Sequence, residues 1–369
     1  MGKITVILEF GGKSTEHEVS IRSAKSIYDA LDKKKYNVVL IGITKKGTWV
    51  GGDAAFKAIQ SGNKLMDGKS NNILLPDPTS PRLVKSNLAK ISKTNSLQVV
   101  FPVLHGPMGE DGTIQGLLEM ANIAYVGCGV LSSALGMDKV KQKEIMQQYK
   151  IPVVEYFWFK KNEWEIDSKT VMDKVEKRFK NFYPLFVKPA NSGSSVGINK
   201  AHNRKELKDD IGEALEYDIK ILVEKGIEGA SEIETSVLGN DDPVVSECGE
   251  IIPREEFYSY DAKYILDNTQ LIIPAKLSKK LSKKVRETAR RAFMAIDGSG
   301  MARADFFVNK KTGRVWLNEL NTIPGFTSIS MYPKLWEYSG VSYKELVDRL
   351  IGLAIERWKS KQKIKTSKD

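Results

Sequence analysis

Cysteine and histidine are scarce in this chain, with two and three copies among 369 residues. Cys128 and Cys248 cannot build a disulfide framework, and neither has a partner at zinc-ligand spacing, so both read as small buried residues. No apolar run approaches the ~20 residues of a membrane-spanning helix. Residues 1–12 pass straight into a strand-like stretch and then glycines. They lack the long apolar core and small-residue cleavage site of a signal peptide, and Val6 breaks the myristoylation pattern after Gly2. A cytoplasmic protein without membrane attachment is expected. A dense basic stripe interleaved with aromatics is missing too. The net charge of +11 is diffuse, and five lysines crowd into the last eleven residues as a solvated tail, so no nucleic-acid partner is expected. A diffuse basic balance instead suits small anionic substrates. What the chain does have is 41% hydrophobic and 28% charged residues, the balance of a globular protein, at a length that calls for two or three domains.

The pattern along the chain opens as βαβ. Residues 3–10 form a buried strand ending in the turn Gly11-Gly12, helical periodicity covers 19–31, and 38–43 is a second strand. That order builds a parallel sheet with helices on its faces. Residues 51–96 are polar and rich in Gly, Pro, Asn and Ser, and are expected to be irregular. A strand at 97–104 and a helix at 113–120 follow, and the first domain closes near Gly127–Gly129. Helical spacing at 137–149, with Asp138 able to cap it, begins a short second domain with strands at 184–188 and 219–224. The third domain carries strands at 233–238 and 244–252, an irregular segment at 253–268, and an amphipathic helix over 281–296. It ends in a hairpin and a last helix at 341–358. The expected boundaries are 1–128, 129–226 and 227–369.

The hairpin holds the densest chemical information. The run 301–309, the turn Lys310-Lys-Thr-Gly313 and the run 314–320 alternate with period two. Arg303 therefore shares a face with Asp305, and Glu319 with Asn321 on the partner strand. Alone, each would be a solvated surface group. Together, Asp305, Glu319 and Asn321 supply converging hard oxygens, as Mg²⁺ requires beside substrate phosphates. A phosphate cradle exists elsewhere. Phe186-Val-Lys188 leads into a loop containing Ser192, Gly193, Ser194, Ser195 and Gly197, where backbone N–H groups and hydroxyls could line an anion and Lys188 adds charge. Lys139, at the start of a helix, is a second phosphate candidate. The strand running through Glu224-Lys225-Gly226-Ile227 lies where two domains meet and could pair with an adenine, and Glu232 could reach a ribose hydroxyl.

With these residues in place, the chain resembles the ATP-grasp ligases and, within them, the D-alanine–D-alanine ligases, over roughly residues 3–350. Five blocks carry the resemblance in the family's order: Gly11-Gly-Lys-Ser-Thr-Glu16-His-Glu-Val-Ser20, Leu104-His-Gly-Pro-Met-Gly-Glu110-Asp-Gly-Thr, Val187-Lys-Pro through Gly193-Ser-Ser-Val-Gly197, Tyr260-Asp-Ala-Lys263-Tyr264, and Asn318-Glu-Leu-Asn-Thr-Ile-Pro-Gly325 through Ser330-Met-Tyr-Pro. The resemblance implies an α/β fold with α+β character in the ATP-binding part, a three-domain enzyme and a homodimer. It also implies ATP with two Mg²⁺, which Mn²⁺ could replace. Lys139, Lys188, Ser195 and Lys263 would then meet phosphates, Glu224 and Ile227 the adenine, and Glu232 the ribose. Asp305, Glu319 and Asn321 would hold the metals. Glu16 would bind the ammonium of a first D-alanine, in a hydrogen-bonded set with Ser194 and Tyr264. Arg303 and the Gly325 backbone would surround the reacting carboxyl, His105 and Glu110 would line the substrate cavity, and Ser330 with Met331 would form the second D-alanine site. The product would be D-alanyl-D-alanine, made through an acylphosphate for peptidoglycan precursors. D-serine- or D-lactate-using ligases of the same family are the alternative, and a non-catalytic nucleotide-binding regulator is one from a different class.

Overall fold

The computed structural model describes residues 2–62, 65, 72–74, 83–85, 97–193, 196–252 and 270–365. The sequence's first unit is β1 (Ile4–Gly11), α1 (His17–Ala30), β2 (Tyr36–Ile43), β3 (Trp49–Gly51), α2 (Asp53–Ser61), β4 (Asn72–Leu74), β5 (Leu83–Lys85), β6 (Gln98–Val103), α3 (Thr113–Met120) and β7 (Ala124–Tyr125). Its five-stranded sheet has the order β3-β2-β1-β6-β7. Strand β1 is parallel to both β2 and β6 and therefore central. Central parallel strands are covered on both faces, which explains the unbroken apolar run in β1. Val6, Leu8 and Phe10 enter one core, and Ile7 enters another with Ile41, Val100 and Leu118.

The middle unit contains α4 (Val130–Met137), α5 (Lys139–Gln148), β8 (Tyr156–Lys160), α6 (Lys161–Phe179), β9 (Leu185–Pro189), β10 (Asn199–Ala201), α7 (Arg204–Ala214) and β11 (Lys220–Lys225). Its sheet is antiparallel, in the order β10-β9-β11-β8. The last unit contains β12 (Ser231–Gly239), β13 (Val244–Ile252), β14 (Gln270–Ile272), α8 (Lys279–Ala295), β15 (Gly300–Asn309), β16 (Arg314–Asn321), α9 (Met331–Tyr338) and α10 (Tyr343–Lys361). Its antiparallel sheet has the order β14-β13-β12-β15-β16. Helix α10 returns to the first sheet, where Leu346 and Leu350 join the core of Val6 and Phe10, and Arg357 donates 2.8 Å to the Tyr125 carbonyl.

Two expectations change. Residues 53–61, within the stretch expected to be irregular, form α2, with Ala55, Ala58 and Ile59 buried. The helix expected over 137–149 starts at Lys139. Asp138 is extended there (φ −80°, ψ 98°), and its carboxylate accepts from the N–H groups of Val140 and Lys141, which ends α4 and starts α5. The expected segment 253–268 lies outside the described residues. No described helix is long and apolar enough to cross a membrane.

Candidate active site

The middle and last units meet at one cleft of about 520 Å³, and the first unit's loop lies beside it. The hairpin β15–β16 supplies its floor. Asp305 pairs in register with Glu319 and Arg303 with Asn321, so the four side chains lie close on neighbouring strands. The ladder then slips between Asp305 and Phe306, which leaves Asn318 as an extra residue on β16. Such a bulge re-aims side chains. Asn318 and Glu319, on either side of the slip, both line the cleft. Arg303 holds Asp305 through two bonds of 2.7 Å, and its Nε lies 3.0 Å from Glu234. Burial alone would lower the Arg303 pKa, but Asp305 and Glu234 outweigh it and keep the guanidinium charged. Asn321 donates 3.0 Å to Asp305.

The facing wall is β9 and β11. Lys188 and Glu224 are both buried and both line the cleft. Lys188 Nζ is 2.5 Å from one oxygen of Glu224, and Lys143 Nζ from α5 is 2.5 Å from the other. Burial pushes the Glu224 carboxyl up, but the two lysines overcome this and hold it down at about 2. Lys188 also donates 3.4 Å to Asn318. Lys139, at the first turn of α5, donates 2.7 Å to the Ser192 carbonyl and lies 3.5 Å from Glu319. One helix start thus touches the glycine loop and the hairpin together. Ile227 and Glu232 line the same cleft with Phe186 and Ile198.

The first unit brings its loop to the other side of the glycine loop. Glu16 is buried, and its backbone N–H donates 3.1 Å to Ser14. A Cβ on Gly193 would sit 2.6 Å from Glu16 Oε2 and 4.0 Å from Glu110 Oε2, so a side chain there would displace the Glu16 carboxyl. Glu110 accepts from the Gly106 N–H at 2.8 Å. Burial first, and then the charge of Glu16, push its carboxyl up to about 8. His105 Nδ1–H donates 3.1 Å to the Ile323 carbonyl, and burial lowers its pKa. Past the hairpin, a Cβ on Gly325 would meet Ser330 Oγ at 3.0 Å, and that hydroxyl accepts from the Thr327 N–H at 3.0 Å. Met331 opens α9 and is buried with Ile251 and Leu335, its sulfur against Gly249.

The cleft therefore gathers Lys139, Lys188, Glu224, Ile227, Glu232, Asp305 and Glu319. Arg303 and Asn321 bond Asp305 at its edge. Glu16, His105, Glu110, Gly325, Ser330 and Met331 lie outside the residues lining it. Ser194, Ser195, Lys263 and Tyr264 are outside the described residues. Sequence reasoning missed Asn318, hidden by the bulge, and Glu234, whose partner Arg303 is on the neighbouring strand β15 but 69 positions away in sequence. It also missed Lys143, although its spacing of four from Lys139 puts both lysines on one face of α5. Mg²⁺ fits this donor set. Among the described residues no group of three His, Cys, Asp or Glu could hold a metal alone. Two carboxylates and an amide beside a lysine-lined cleft suit an ion that completes its shell with phosphates and water.

Known proteins share both the sequence and the architecture. A family model described as D-ala D-ala ligase N-terminus matches residues 4–128, and one described as D-ala D-ala ligase C-terminus matches 145–352. The D-alanine–D-alanine ligase of Heliobacterium modesticaldum is 50% identical over 368 residues, covering 100% of this chain and 99% of that protein. The one from Caldicellulosiruptor bescii is 50% identical over 374 residues, covering 100% of each. Among solved structures, a D-Ala:D-Ser ligase from Enterococcus faecalis superposes with a TM-score of 0.83 at 35% identity, covering 96% of this chain and 100% of that one. The D-alanine–D-alanine ligase from Coxiella burnetii superposes with a TM-score of 0.80 at 34% identity, covering 98% of each.

Proposed function

The chain belongs to the D-alanine–D-alanine ligase family, and from that premise we propose how its residues join two D-alanines at the expense of ATP for cell-wall precursor synthesis. The observation that carries the reading is the match of both halves of the family, in order and over nearly the full length. Relatives named for D-alanine stand at 50% identity and the D-Ala:D-Ser neighbour at 35%, which favours alanine as the second substrate.

A carboxylate resists attack by an amine because its leaving group is poor. ATP gives its γ-phosphoryl group to the first D-alanine carboxylate and leaves as ADP, and the acylphosphate formed then loses phosphate when the neutral amine of the second D-alanine attacks its carbonyl. For that transfer the protein mainly positions groups and neutralises charge. Lys188 and Lys139 hold the phosphates, and Glu224 and Ile227 face the adenine, with Glu232 at the ribose. Asp305, Glu319 and Asn321 would hold two Mg²⁺, which neutralise phosphate charge when bound. Glu16 takes the ammonium of the first D-alanine, and His105 with Glu110 shape that pocket. Arg303 and the Gly325 backbone stabilise the oxyanion when the second amine attacks, a contribution of about 3 kcal/mol for a well-placed donor. Ser330 and Met331 bound the second D-alanine. Ser194, Ser195, Lys263 and Tyr264 take the roles implied by the family resemblance. The protein works as a cytoplasmic homodimer, which sedimentation at micromolar concentration checks.

Phosphate release with ATP, Mg²⁺ and D-alanine tests the reading, with L-alanine, D-serine and D-lactate in parallel. The expected result is release dependent on D-alanine, with D-alanyl-D-alanine as product. Release indifferent to D-alanine overturns it.

A further inference from the structure

Lys143 is among the most deeply buried charged side chains described, at 2% exposure, and does not line the cleft. The Lys143 ammonium lies 6.0 Å from the Tyr156 ring centre, and the charges acting on it are those of Glu224, Lys188 and Glu319. A lysine so placed carries a large desolvation cost, and burial does pull its pKa down while Glu224 pulls it up. What it gains is one oxygen of Glu224 at 2.5 Å. The other oxygen holds Lys188 at the same distance. The carboxylate is a bridge between a lysine that faces the cleft and one that does not.

We propose that Lys143 is a positioning residue for ATP, acting through Glu224 to keep Lys188 aimed at the phosphates. The proposal rests on the ligase reading of the cleft. A carboxylate with one lysine on each oxygen cannot turn to chelate either of them. Without Lys143, both oxygens of Glu224 become available to Lys188, and the ammonium is drawn toward the carboxylate and away from Asn318 and the cleft. Lys139 sits one turn earlier on α5 and already binds the Ser192 carbonyl of the glycine loop. Helix α5 therefore fixes the cradle at two points, at the loop through Lys139 and at β11 through Lys143. Among the described residues the ion pair of Lys143 is with Glu224, on the nucleotide side of the cleft.

Steady-state kinetics of Lys143→Met test this. Losing the buried ion pair that fixes Glu224 should raise KM for ATP about 10- to 100-fold. KM for D-alanine should stay within about threefold. Titration of ATP without D-alanine should show the same loss of affinity. An unchanged ATP affinity overturns the proposal. Because Lys143→Met leaves a buried carboxylate oxygen without its lysine, thermal melting accompanies the kinetics, and Lys143→Met/Glu224→Gln, which removes both charges, provides a second route. If Lys143 acts through Glu224, the double variant should bind ATP as Glu224→Gln alone does, within about threefold. A further tenfold loss in the double variant also overturns the proposal. Failure of the ligase reading is distinguishable, because it shows as absent D-alanine-dependent phosphate release in the unmodified enzyme.

Discussion

Glu9 lies in the middle strand of the first sheet, registered against Ile41 on one side and Pro102 on the other. It is 0% exposed, and among the described residues neither carboxyl oxygen has a hydrogen-bond partner. Burial raises its pKa from 4.5 to about 8. The folded protein therefore keeps a proton that the unfolded chain releases above pH 4.5. Stability from this group is complete below that pH and is lost as pH rises, until the folded form also ionises near pH 8. At 1.36 kcal/mol per unit, the loss reaches about 3 kcal/mol at pH 7 and approaches 5 kcal/mol above pH 8. Between pH 6 and pH 8 the change is about 2 kcal/mol. Glu9→Gln and Glu9→Leu cannot titrate, so they should be more stable than the parent by an amount that grows with pH. Urea denaturation of the three proteins at pH 6, 7 and 8 measures this. Taking differences at each pH removes the contributions of all other groups. Parallel stability curves across that range would refute the argument, since a carboxyl that costs nothing to ionise is not isolated from water.

Other perturbations address the site. Glu319→Gln should abolish D-alanine-dependent phosphate release while circular dichroism stays unchanged, and near-parental turnover would remove Glu319 from the metal set. Glu110, raised to about 8 by burial and Glu16, is neutral at pH 7 and ionises as pH rises through that value. Glu110→Gln should thus keep neutral-pH activity and lose any change in D-alanine KM between pH 7 and 9, as a pH series of KM will show. Arg303→Met leaves Asp305 and Glu234 without their shared guanidinium, and a loss of about 3–5 kcal/mol in urea denaturation is expected beside the loss of turnover.

Much of the molecule was legible along the chain because its signals are local. The βαβ opening, the Gly11–Gly12 turn and the hairpin all follow from side-chain period and turn chemistry. That Arg303 shares a face with Asp305, and Glu319 with Asn321, needed only strand alternation; regular pairing from the turn would set Asp305 against Asn318, and the slip at Phe306 is what brings Glu319 opposite it. Helices α6 and α7 were harder to read because most of their residues are charged. In α6 only Val171, Met172, Val175 and Phe179 are buried, a sparse stripe in a polar segment. Helix α2 was hidden for a different reason: its own apolar residues sit in a longer stretch whose polar composition reads as loop.

The sequence by itself determined which residue types were available: the lysines, the glycine loop, the hairpin oxygens and the carboxyl of Glu16. Each belongs to a local pattern whose physics operates within a few residues. Tertiary structure decided the pairings. Lys143 and Glu224 are 81 positions apart, and Arg303 and Glu234 are 69 apart. The slip that leaves Asn318 as an extra residue on β16 exists only once β15 and β16 pair, and its bond to Lys188 only once β9 packs beside them. Whether a carboxylate is a solvated charge, a lysine bridge like Glu224 or a buried acid like Glu9 depends on the water excluded around it, and that exclusion exists only once distant segments have packed.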